Sequence, residues 1–182
     1  MKEDVIIESE RLYLKKISNE VLDDMCVLAN DEEVARYLLQ VFPFPYSRKD
    51  GIFYLKLSDD RWKSGEGYDF AIFIKEGDKY IGNISISKRH DDVWGFGYWI
   101  GKKFWRNGYA TEAVRVLVSY LFDNSIVRKL SAGIFSPNKA SENVLKKNGF
   151  EVEGLLKEER YLRDGKVIDD ITMGLINKNF KK

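Results

Sequence analysis

The sequence predicts an α/β fold in which helices pack on one mixed sheet. Two observations carry this prediction. Short runs alternate apolar and polar residues with the period of strands, and longer stretches repeat apolar residues every three or four positions, as helices do. At 182 residues, 44% of them hydrophobic and 32% charged, the chain has the size and composition of a globular domain. We therefore expect residues 1–182 to form a single domain.

The first half of the chain is predicted to contain a strand, a helical segment and an antiparallel meander. The first strand covers Arg11 to Ile17, and one or two helices cover Asn19 to Leu39. Residues 42–46, FPFPY, interrupt helix with two prolines and must pack on the body of the protein or form a wall of a pocket. A further helix ends near Ser64. Three strands are then predicted over residues 69–75, 79–87 and 93–101.

The second half alternates helices with strands. From Gly108 to Ser125 the apolar residues fall on one helix face, and the preceding strand enters this helix through the turn FWRNG. A strand is predicted over Arg128 to Phe135, and then a helix over Asn138 to Asn148 with Gly149 as its left-handed stop. Two more strands fill the chain from Phe150 to its end. Ligands in such sheets bind where strand ends face helix N-termini.

The charge balance argues against a polyanionic partner. Thirty basic residues against 29 acidic ones give a formal charge of +1, so we expect no nucleic-acid partner and no attraction to an anionic membrane. The N-terminus lacks the apolar core of a signal peptide, and no apolar run approaches the roughly 18 residues that span a bilayer. We expect a cytoplasmic protein.

The chain has one cysteine and one histidine, which excludes several chemistries. Cys26 and His90 cannot form an intrachain disulfide, a Cys/His zinc cluster or a CxxC redox pair, and we predict no metal. Cys26 lies in an apolar-periodic stretch, where a packing role is favoured over nucleophilic catalysis. His90 lies in the polar turn KRHDD and is interpreted as a solvated loop residue.

The turn FWRNG, residues 104–108, is a candidate anion site. Asn107 and Gly108 form a turn that presents successive N–H groups, and the positive end of the following helix dipole points to the same place. The P-loop pattern GxxxxGK[ST] is absent, and Gly95, Gly97 and Gly101 have the wrong spacing for a dinucleotide fingerprint. The alternative is an ordinary connection in which the glycine relieves steric strain. This segment alone leaves both interpretations open.

Six motifs follow one another along nearly the whole chain: ESERLYLKKI, FPFPYSRKD, GYWIGKKFWRNGYATEA, NKASENVLKKNGF, EVEG and RDGKVIDD. In this order they resemble the GNAT superfamily of acetyl-CoA-dependent N-acyltransferases, and in particular its RimJ/RimL branch of ribosomal-protein N-terminal acetyltransferases. The resemblance implies a GNAT-like domain with a mostly antiparallel twisted sheet, a splayed parallel strand pair and flanking helices.

The resemblance implies acetyl-CoA as the donor and assigns residues to it. Trp99 and Ile100 should run beside the pantetheine and the thioester, and Asn138 should hydrogen-bond the pantetheine. Asn143 and Lys147 should lie near the nucleotide, although for Lys147 a solvated helix position is the favoured interpretation. The residues assigned to the pyrophosphate are Arg106, Asn107, Gly108, Tyr109, Ala110 and Thr111.

The acyl transfer itself needs an oxyanion donor and an acid. The resemblance implies that a backbone N–H near Ile100 binds the oxyanion. Ser141 is the candidate that protonates the leaving thiolate, and its alternative role is to bond its own helix backbone. An alkylamine of pKa near 10.4 costs roughly 4 to 5 kcal/mol to deprotonate at pH 7, whereas an α-amine of pKa near 8 costs about 1 kcal/mol. An α-amine therefore needs only a weak or water-relayed base.

The general base departs from the family pattern. Where related ribosomal-protein enzymes place a carboxylate this chain has Arg160, and where many members place a tyrosine it has Met173. Glu159, beside Glu158, and Glu153 are the candidate catalytic carboxylates. Glu153 and Asp169 match recurrent carboxylates of the branch, and their alternative role is to pair with basic residues across strands.

Three questions stay open at this point. The acceptor is a primary amine, either a protein N-terminal α-amine or a small-molecule amine, and the protein is a monomer or a homodimer. A non-catalytic CoA-binding or sensing module is the alternative function, because Arg160 and Met173 replace expected acid and base groups. A nucleic-acid binder that uses Lys102, Lys103 and Arg106 is the weaker rival, since three cations beside a phosphate site have a simpler explanation.

Overall fold

The computed structural model describes residues 1–181 and contains one eight-stranded sheet with five α-helices. The strands are β1 (Ile6–Glu8), β2 (Leu12–Lys16), β3 (Gly67–Ile74), β4 (Lys79–His90), β5 (Val93–Ile100), β6 (Lys129–Phe135), β7 (Glu151–Tyr161) and β8 (Val167–Ile176). The helices are α1 (Leu22–Ala29), α2 (Glu32–Ala35), α3 (Arg48–Ser64), α4 (Tyr109–Asp123) and α5 (Lys139–Lys147).

The sheet is mixed, as predicted. Its strand order is β1-β2-β3-β4-β5-β6-β8-β7, and every neighbouring pair is antiparallel except β5 with β6. The predicted fold class, one α/β domain with a mostly antiparallel sheet and a single parallel pair, is confirmed. Within residues 1–181, no helix is both long and apolar enough to cross a membrane.

The observed elements differ from the predicted ones mainly at their ends. The short strand β1 was not predicted, and β4 continues beyond the predicted end at Ser87 to His90. His90 therefore ends a strand beside a tight turn, with its side chain exposed. The helical segment predicted from Asn19 to Leu39 splits into a short 3-10 helix, α1 and α2.

Capping residues define two helices that border the site. Ser47 and Asp50 form a capping box at the start of α3, and Gly65 ends that helix in the left-handed conformation at φ 74°. The Asn138 side chain accepts a hydrogen bond from the Ser141 N–H at the start of α5. These local signals fix where each helix begins relative to the sheet.

Apolar side chains cover both faces of the sheet. On one face α4 buries Val114, Leu117 and Leu121 against the strands. On the other face α1 and α3 bury Met25 and Leu55, which pack with apolar residues of β3 and β4. The two layers leave the central parallel pair exposed at one end, and both cavities described below lie there.

Candidate active site

The parallel pair β5 and β6 holds together through only three residue pairs. Val93, Trp94 and Gly95 align with residues 129–131, and beyond them no pairing of these two strands occurs in the part of the chain that the structure describes. The strands therefore diverge and leave an opening in the sheet. The divergence matches the splayed pair that the resemblance implied.

The opening exposes a backbone amide. Gly101 donates its N–H to the carbonyl oxygen of Ile81 on β4, 2.8 Å away. Because successive N–H groups of a strand point to opposite edges, the N–H of Ile100 points toward the opening. The indole Nε1 of Trp105 donates to the Ile100 carbonyl oxygen at 2.6 Å and holds the end of β5 in place.

A cavity of about 630 Å³ lies between β5, α4 and α5, and we name it the α4 cavity. Nine of the ten residues predicted to bind the cofactor line it, and so does Lys147, which is exposed. Asn107 is the exception among the ten, because its side-chain nitrogen donates to the carbonyl oxygens of Phe104 and Trp105 and stabilises the turn itself. The nine residues are Trp99, Ile100, Arg106, Gly108, Tyr109, Ala110, Thr111, Asn138 and Asn143.

The start of α4 presents free amides to this cavity. Gly108 precedes the helix at φ 80° and provides no side-chain cap, so the first N–H groups of α4, from Tyr109 to Thr111, face the cavity. Arg106 also has a positive φ of 62°. A Cβ at Gly108 would meet only the Arg11 guanidinium at 3.4 Å. The glycine is therefore required by the backbone conformation rather than by lack of space.

The carboxylate in the first turn of α4, that of Glu112, is paired with Arg11. Glu112 accepts hydrogen bonds from the Ser9 hydroxyl and from the Arg11 N–H and Nε, at 2.7 to 2.9 Å. Burial raises the pKa of Glu112, but these hydrogen bonds outweigh burial and hold the pKa below its ordinary value. With Arg11 paired to Glu112, the positive helix end keeps its attraction for an anion.

A second cavity, of about 420 Å³, lies on the opposite face of the sheet, and we name it the loop cavity. Its floor consists of small residues on adjacent strands, namely Ser85, Ser87, Gly95 and Gly97. Its wall is the segment from Tyr37 to Phe42. The Arg163 guanidinium donates to the backbone carbonyls of Ala35 and Phe42 and ties this wall to the β7–β8 hairpin.

The two cavities meet at a pair of hydroxyl groups. Tyr98 and Ser141 line both cavities, and their hydroxyl oxygens lie 3.0 Å apart. Burial raises the pKa of Tyr98 to about 12, an effect that the hydrogen bond with Ser141 opposes. Tyr98 therefore stays protonated at neutral pH and is a hydrogen-bond donor there.

Comparison with known proteins identifies the family. A model of the acetyltransferase (GNAT) domain matches residues 11–151. The chain belongs to the GNAT acetyltransferase family. An uncharacterized N-acetyltransferase, p20 of Bacillus licheniformis, is 28% identical over 94% of this chain and 96% of that protein. The ribosomal-protein-serine acetyltransferase of Escherichia coli is 27% identical over 59% of this chain and 60% of that protein.

A solved structure shows the same GNAT fold. RimL, a ribosomal L7/L12 alpha-N-protein acetyltransferase in complex with coenzyme A, superposes with a TM-score of 0.86 at 19% identity, covering 94% of this chain and 98% of that one. The predicted GNAT family and the predicted class of acetyl-CoA-dependent N-acetyltransferases are confirmed. The predicted resemblance to the RimJ/RimL branch is confirmed as a similarity to RimL and to the E. coli ribosomal-protein-serine acetyltransferase.

The structure separates the three predicted catalytic residues of this GNAT enzyme. Ser141 lies where the cavities meet, whereas Glu153 and Glu159 line neither cavity. The Glu153 carboxylate pairs with Lys129 on β6 at 2.7 Å, as its alternative role required. Glu159 is exposed in an irregular part of β7, where the register with β8 shifts between Leu156 and Arg160.

Two functional candidates were missed by sequence reasoning. Tyr98 follows Gly97 in the alternating run WGFGYWI, where no local pattern distinguishes it, and Asp170 is the second residue of the acidic pair in RDGKVIDD. Asp170 is buried, lines the loop cavity, and accepts a 3.0 Å hydrogen bond from Arg160 Nε. Met173 is fully buried in the core and takes no part in the site.

The remaining candidates lie away from the opening. Cys26 packs on α1 beside the Ser47 carbonyl, lines neither cavity, and burial raises the pKa of its thiol. Of the three cations in the nucleic-acid hypothesis, Lys102 pairs with Glu33, Lys103 lies over the Phe104 ring and Arg106 lines the α4 cavity. Among residues 1–181, no group of three or more His, Cys, Asp or Glu side chains is placed to hold a metal ion.

Proposed function

We propose that the protein transfers the acetyl group of acetyl-CoA to the α-amine of a peptide or protein N-terminus by direct attack. One observation carries this proposal: the α4 cavity and the loop cavity meet at Tyr98 and Ser141, through the opening between β5 and β6. A donor in the first cavity and an amine in the second approach each other from opposite faces of the sheet. The reaction then needs positioning rather than a covalent enzyme intermediate.

The α4 cavity supplies the groups that acetyl-CoA requires. The free amides from Tyr109 to Thr111 suit the pyrophosphate, because the helix end concentrates N–H donors and positive potential. The side chain of Asn138 has its oxygen engaged by the Ser141 N–H, which leaves its amide nitrogen to bind the pantetheine. The N–H of Ile100 is the proposed oxyanion donor.

The Tyr98–Ser141 pair is proposed to stabilise the departing sulfur. A thiol with a pKa of about 8.5 is a stronger acid than Tyr98 at about 12, so full transfer from Tyr98 to the thiolate is uphill by roughly 5 kcal/mol. The pair therefore acts by donating a hydrogen bond to the developing thiolate and by relaying a proton that the amine releases. This replaces the simpler prediction that Ser141 alone protonates the thiolate.

An α-amine is favoured over an alkylamine as the acceptor. Its neutral form costs about 1 kcal/mol at pH 7 rather than roughly 4 to 5 kcal/mol, a difference that suits a site without a histidine. The loop cavity has a floor of serines and glycines, which gives an extended peptide room above the strands. The E. coli relative is named for acetylating ribosomal-protein serine. A cytoplasmic location and a monomeric or homodimeric state stay predictions.

The test is release of free thiol from acetyl-CoA in the presence of different amines. We expect a tripeptide with N-terminal serine to give a higher kcat/KM than its N-acetylated form, spermidine or glucosamine. A higher kcat/KM for spermidine or glucosamine would contradict a peptide acceptor and indicate a small-molecule amine. Absence of thiol release with every amine would favour the CoA-sensing alternative.

The hydroxyl pair gives a second prediction. Ser141→Ala and Tyr98→Phe should each lower kcat about tenfold, and the double variant should lose little more, because the two groups act as one unit. The affinity for acetyl-CoA, measured by calorimetry, should change less than threefold in all variants. Strictly additive losses in kcat would show that the two hydroxyls act separately.

Gly97 offers a way to block the acceptor alone. A Cβ at Gly97 meets no atom within 4 Å, so Gly97→Val fits the strand and fills the loop cavity above its floor. We expect at least a tenfold rise in KM for the peptide with unchanged affinity for acetyl-CoA. Gly154→Val is the matched control, because Gly154 lies on β7, lines neither cavity and has equally open space. Equal KM values for the peptide in the two variants would contradict binding of the acceptor in the loop cavity.

A further inference from the structure

We propose that Asp170 receives the proton that the acceptor ammonium must lose before it attacks the thioester. The proposal rests on the proposed function and assigns the base that the family pattern left without a residue. Asp170 is only 4% exposed and lines the loop cavity, on the acceptor side of the opening. Among the described residues that line this cavity, Asp170 is the one that carries a carboxylate, and it is buried.

One oxygen of this carboxylate is left for a ligand. Oδ2 accepts the hydrogen bond from Arg160 Nε at 3.0 Å, while Oδ1 is buried with no hydrogen-bond partner within residues 1–181. A buried oxygen that stays unsatisfied costs about 1 to 3 kcal/mol, which an N–H or O–H donor entering the cavity offsets. Oδ1 can therefore accept a hydrogen bond from the ammonium, or from a water molecule that the ammonium binds.

The absence of a side chain at Gly133 of β6 leaves space beside the buried carboxylate of Asp170. A Cβ built on Gly133 would lie 3.2 and 3.3 Å from the two carboxylate oxygens. Both residues line the loop cavity, so the glycine keeps this space free on the cavity side of Asp170. Asp170 is aligned with Phe135, the last residue of β6. The chain turns directly after Phe135 and leads to Asn138 and Ser141, so Asp170 lies beside the start of this turn.

Arg160 has a positioning role in this arrangement. It stands on β7 where related enzymes place a carboxylate, and its guanidinium reaches across to β8 and fixes Asp170. The pair therefore places a carboxylate on the cavity side of β8, where it supplies the base that residue 160 on the neighbouring strand lacks. The chain thus has an arginine at residue 160, where related enzymes have a carboxylate, and a carboxylate at residue 170 of the same cavity.

The reaction balances with this assignment. The ammonium gives one proton to Asp170 Oδ1 through one bound water, and the freed nitrogen lone pair forms the N–C bond with the acetyl carbonyl carbon. When the tetrahedral intermediate collapses, the C–S bond breaks and sulfur keeps the electron pair. The second proton passes from nitrogen to sulfur through the Tyr98–Ser141 pair, and Asp170 then releases its proton to solvent. One ammonium and one acetyl-CoA give one amide, one CoA thiol and one proton.

The test compares Asp170→Asn with Asp169→Asn, using a serine-first tripeptide and acetyl-CoA. Asp169 is the adjacent residue, but it accepts the Glu158 N–H and lines neither cavity. At pH 7 we expect Asp170→Asn to lose roughly tenfold in kcat/KM, since about a tenth of an amine with pKa near 8 is neutral there. Above pH 9.5 the loss should shrink to about twofold, because the amine is then neutral without a base.

The outcomes separate this inference from the proposed function. Calorimetric affinity for acetyl-CoA and the thermal midpoint should be nearly the same for both variants and the parent. A loss of constant size from pH 7 to pH 9.5, or no loss at all, would overturn the role of Asp170 while leaving the acetyltransfer reaction intact. If the parent itself releases no thiol with the tripeptide, the proposed function fails first. Partial recovery at pH 7 in Asp170→Glu supports proton transfer over a purely structural role.

Discussion

Replacing Gly82 with alanine is expected to lower the free energy of unfolding by more than about 3 kcal/mol, because the new methyl group collides with backbone. A Cβ at this position would lie 2.2 Å from the Trp99 carbonyl oxygen and 2.9 Å from the Ile100 Cα. These atoms belong to the facing strand β5, so no side-chain rotation relieves the overlap. Urea unfolding followed by fluorescence measures the loss.

The same change should also damage the active site. Gly82 is aligned with Ile100, whose N–H is the proposed oxyanion donor, and β5 must shift there to admit the methyl group. Gly97→Ala is the control, because its Cβ meets no atom within 4 Å on the same strand pair. We expect the control to change the unfolding free energy by less than about 1 kcal/mol. An unchanged urea midpoint in Gly82→Ala would contradict the collision.

Removing Arg61 is expected to cost about 3 to 5 kcal/mol, because Arg61→Met leaves the buried charge of Asp69 without its partner. Asp69 is 1% exposed, and one guanidinium nitrogen of Arg61 contacts both of its oxygens at 2.6 and 2.7 Å. The Tyr54 hydroxyl donates a further bond to Asp69 at 3.0 Å. This cluster fastens α3 to β3 beside the loop cavity. Thermal and urea unfolding of the variant measure the cost.

Two controls define the origin of that loss. Lys63→Met removes an exposed ion pair with Asp59 from the same helix, and it should lower the free energy of unfolding far less than Arg61→Met does. The double variant Arg61→Met with Asp69→Asn removes the buried charge as well, so it should be more stable than Arg61→Met alone. If the double variant is the less stable of the two, packing of the arginine stem rather than charge pairing explains the effect.

Most of the fold follows from local sequence patterns. Helix α4 has its apolar residues on one face, and alternation of apolar and polar residues marks the central strands, so their positions were predicted to within a few residues. Strand β1 was missed because its three residues are too few to display a period. The end of β4 was missed because Lys88 to His90 are polar and exposed, and only their pairing with β5 makes them a strand.

The donor side of the site was predictable because its residues are neighbours in the sequence. The turn before α4 and the first turn of that helix lie within eight residues, 104–111, so one motif describes both. The amide of Ile100 requires a further fact, the divergence of β5 from β6, which the resemblance alone supplied.

The catalytic side depends on contacts between distant residues. Tyr98 meets Ser141 across 43 positions of the chain, and no local pattern records that contact. Register shifts in β7 between Val152 and Gly154 and between Leu156 and Arg160 change which side chains share a face with Asp170. Simple alternation therefore fails to predict that Glu153 and Glu159 lie outside the cavities.

With the two substrates placed as proposed, the separation of β5 from β6 predicts a class of inhibitor. A single molecule in which a two-carbon bridge joins the sulfur of CoA to the acceptor nitrogen would pass through the opening between these strands. It would occupy the α4 cavity and the loop cavity at once. Linking the halves makes the second binding event intramolecular, so its affinity should exceed that of either half by about a hundredfold or more. The sheet separates the two cavities and the opening between β5 and β6 joins them, so we expect a ligand that spans the opening to bind more tightly than a ligand of one cavity.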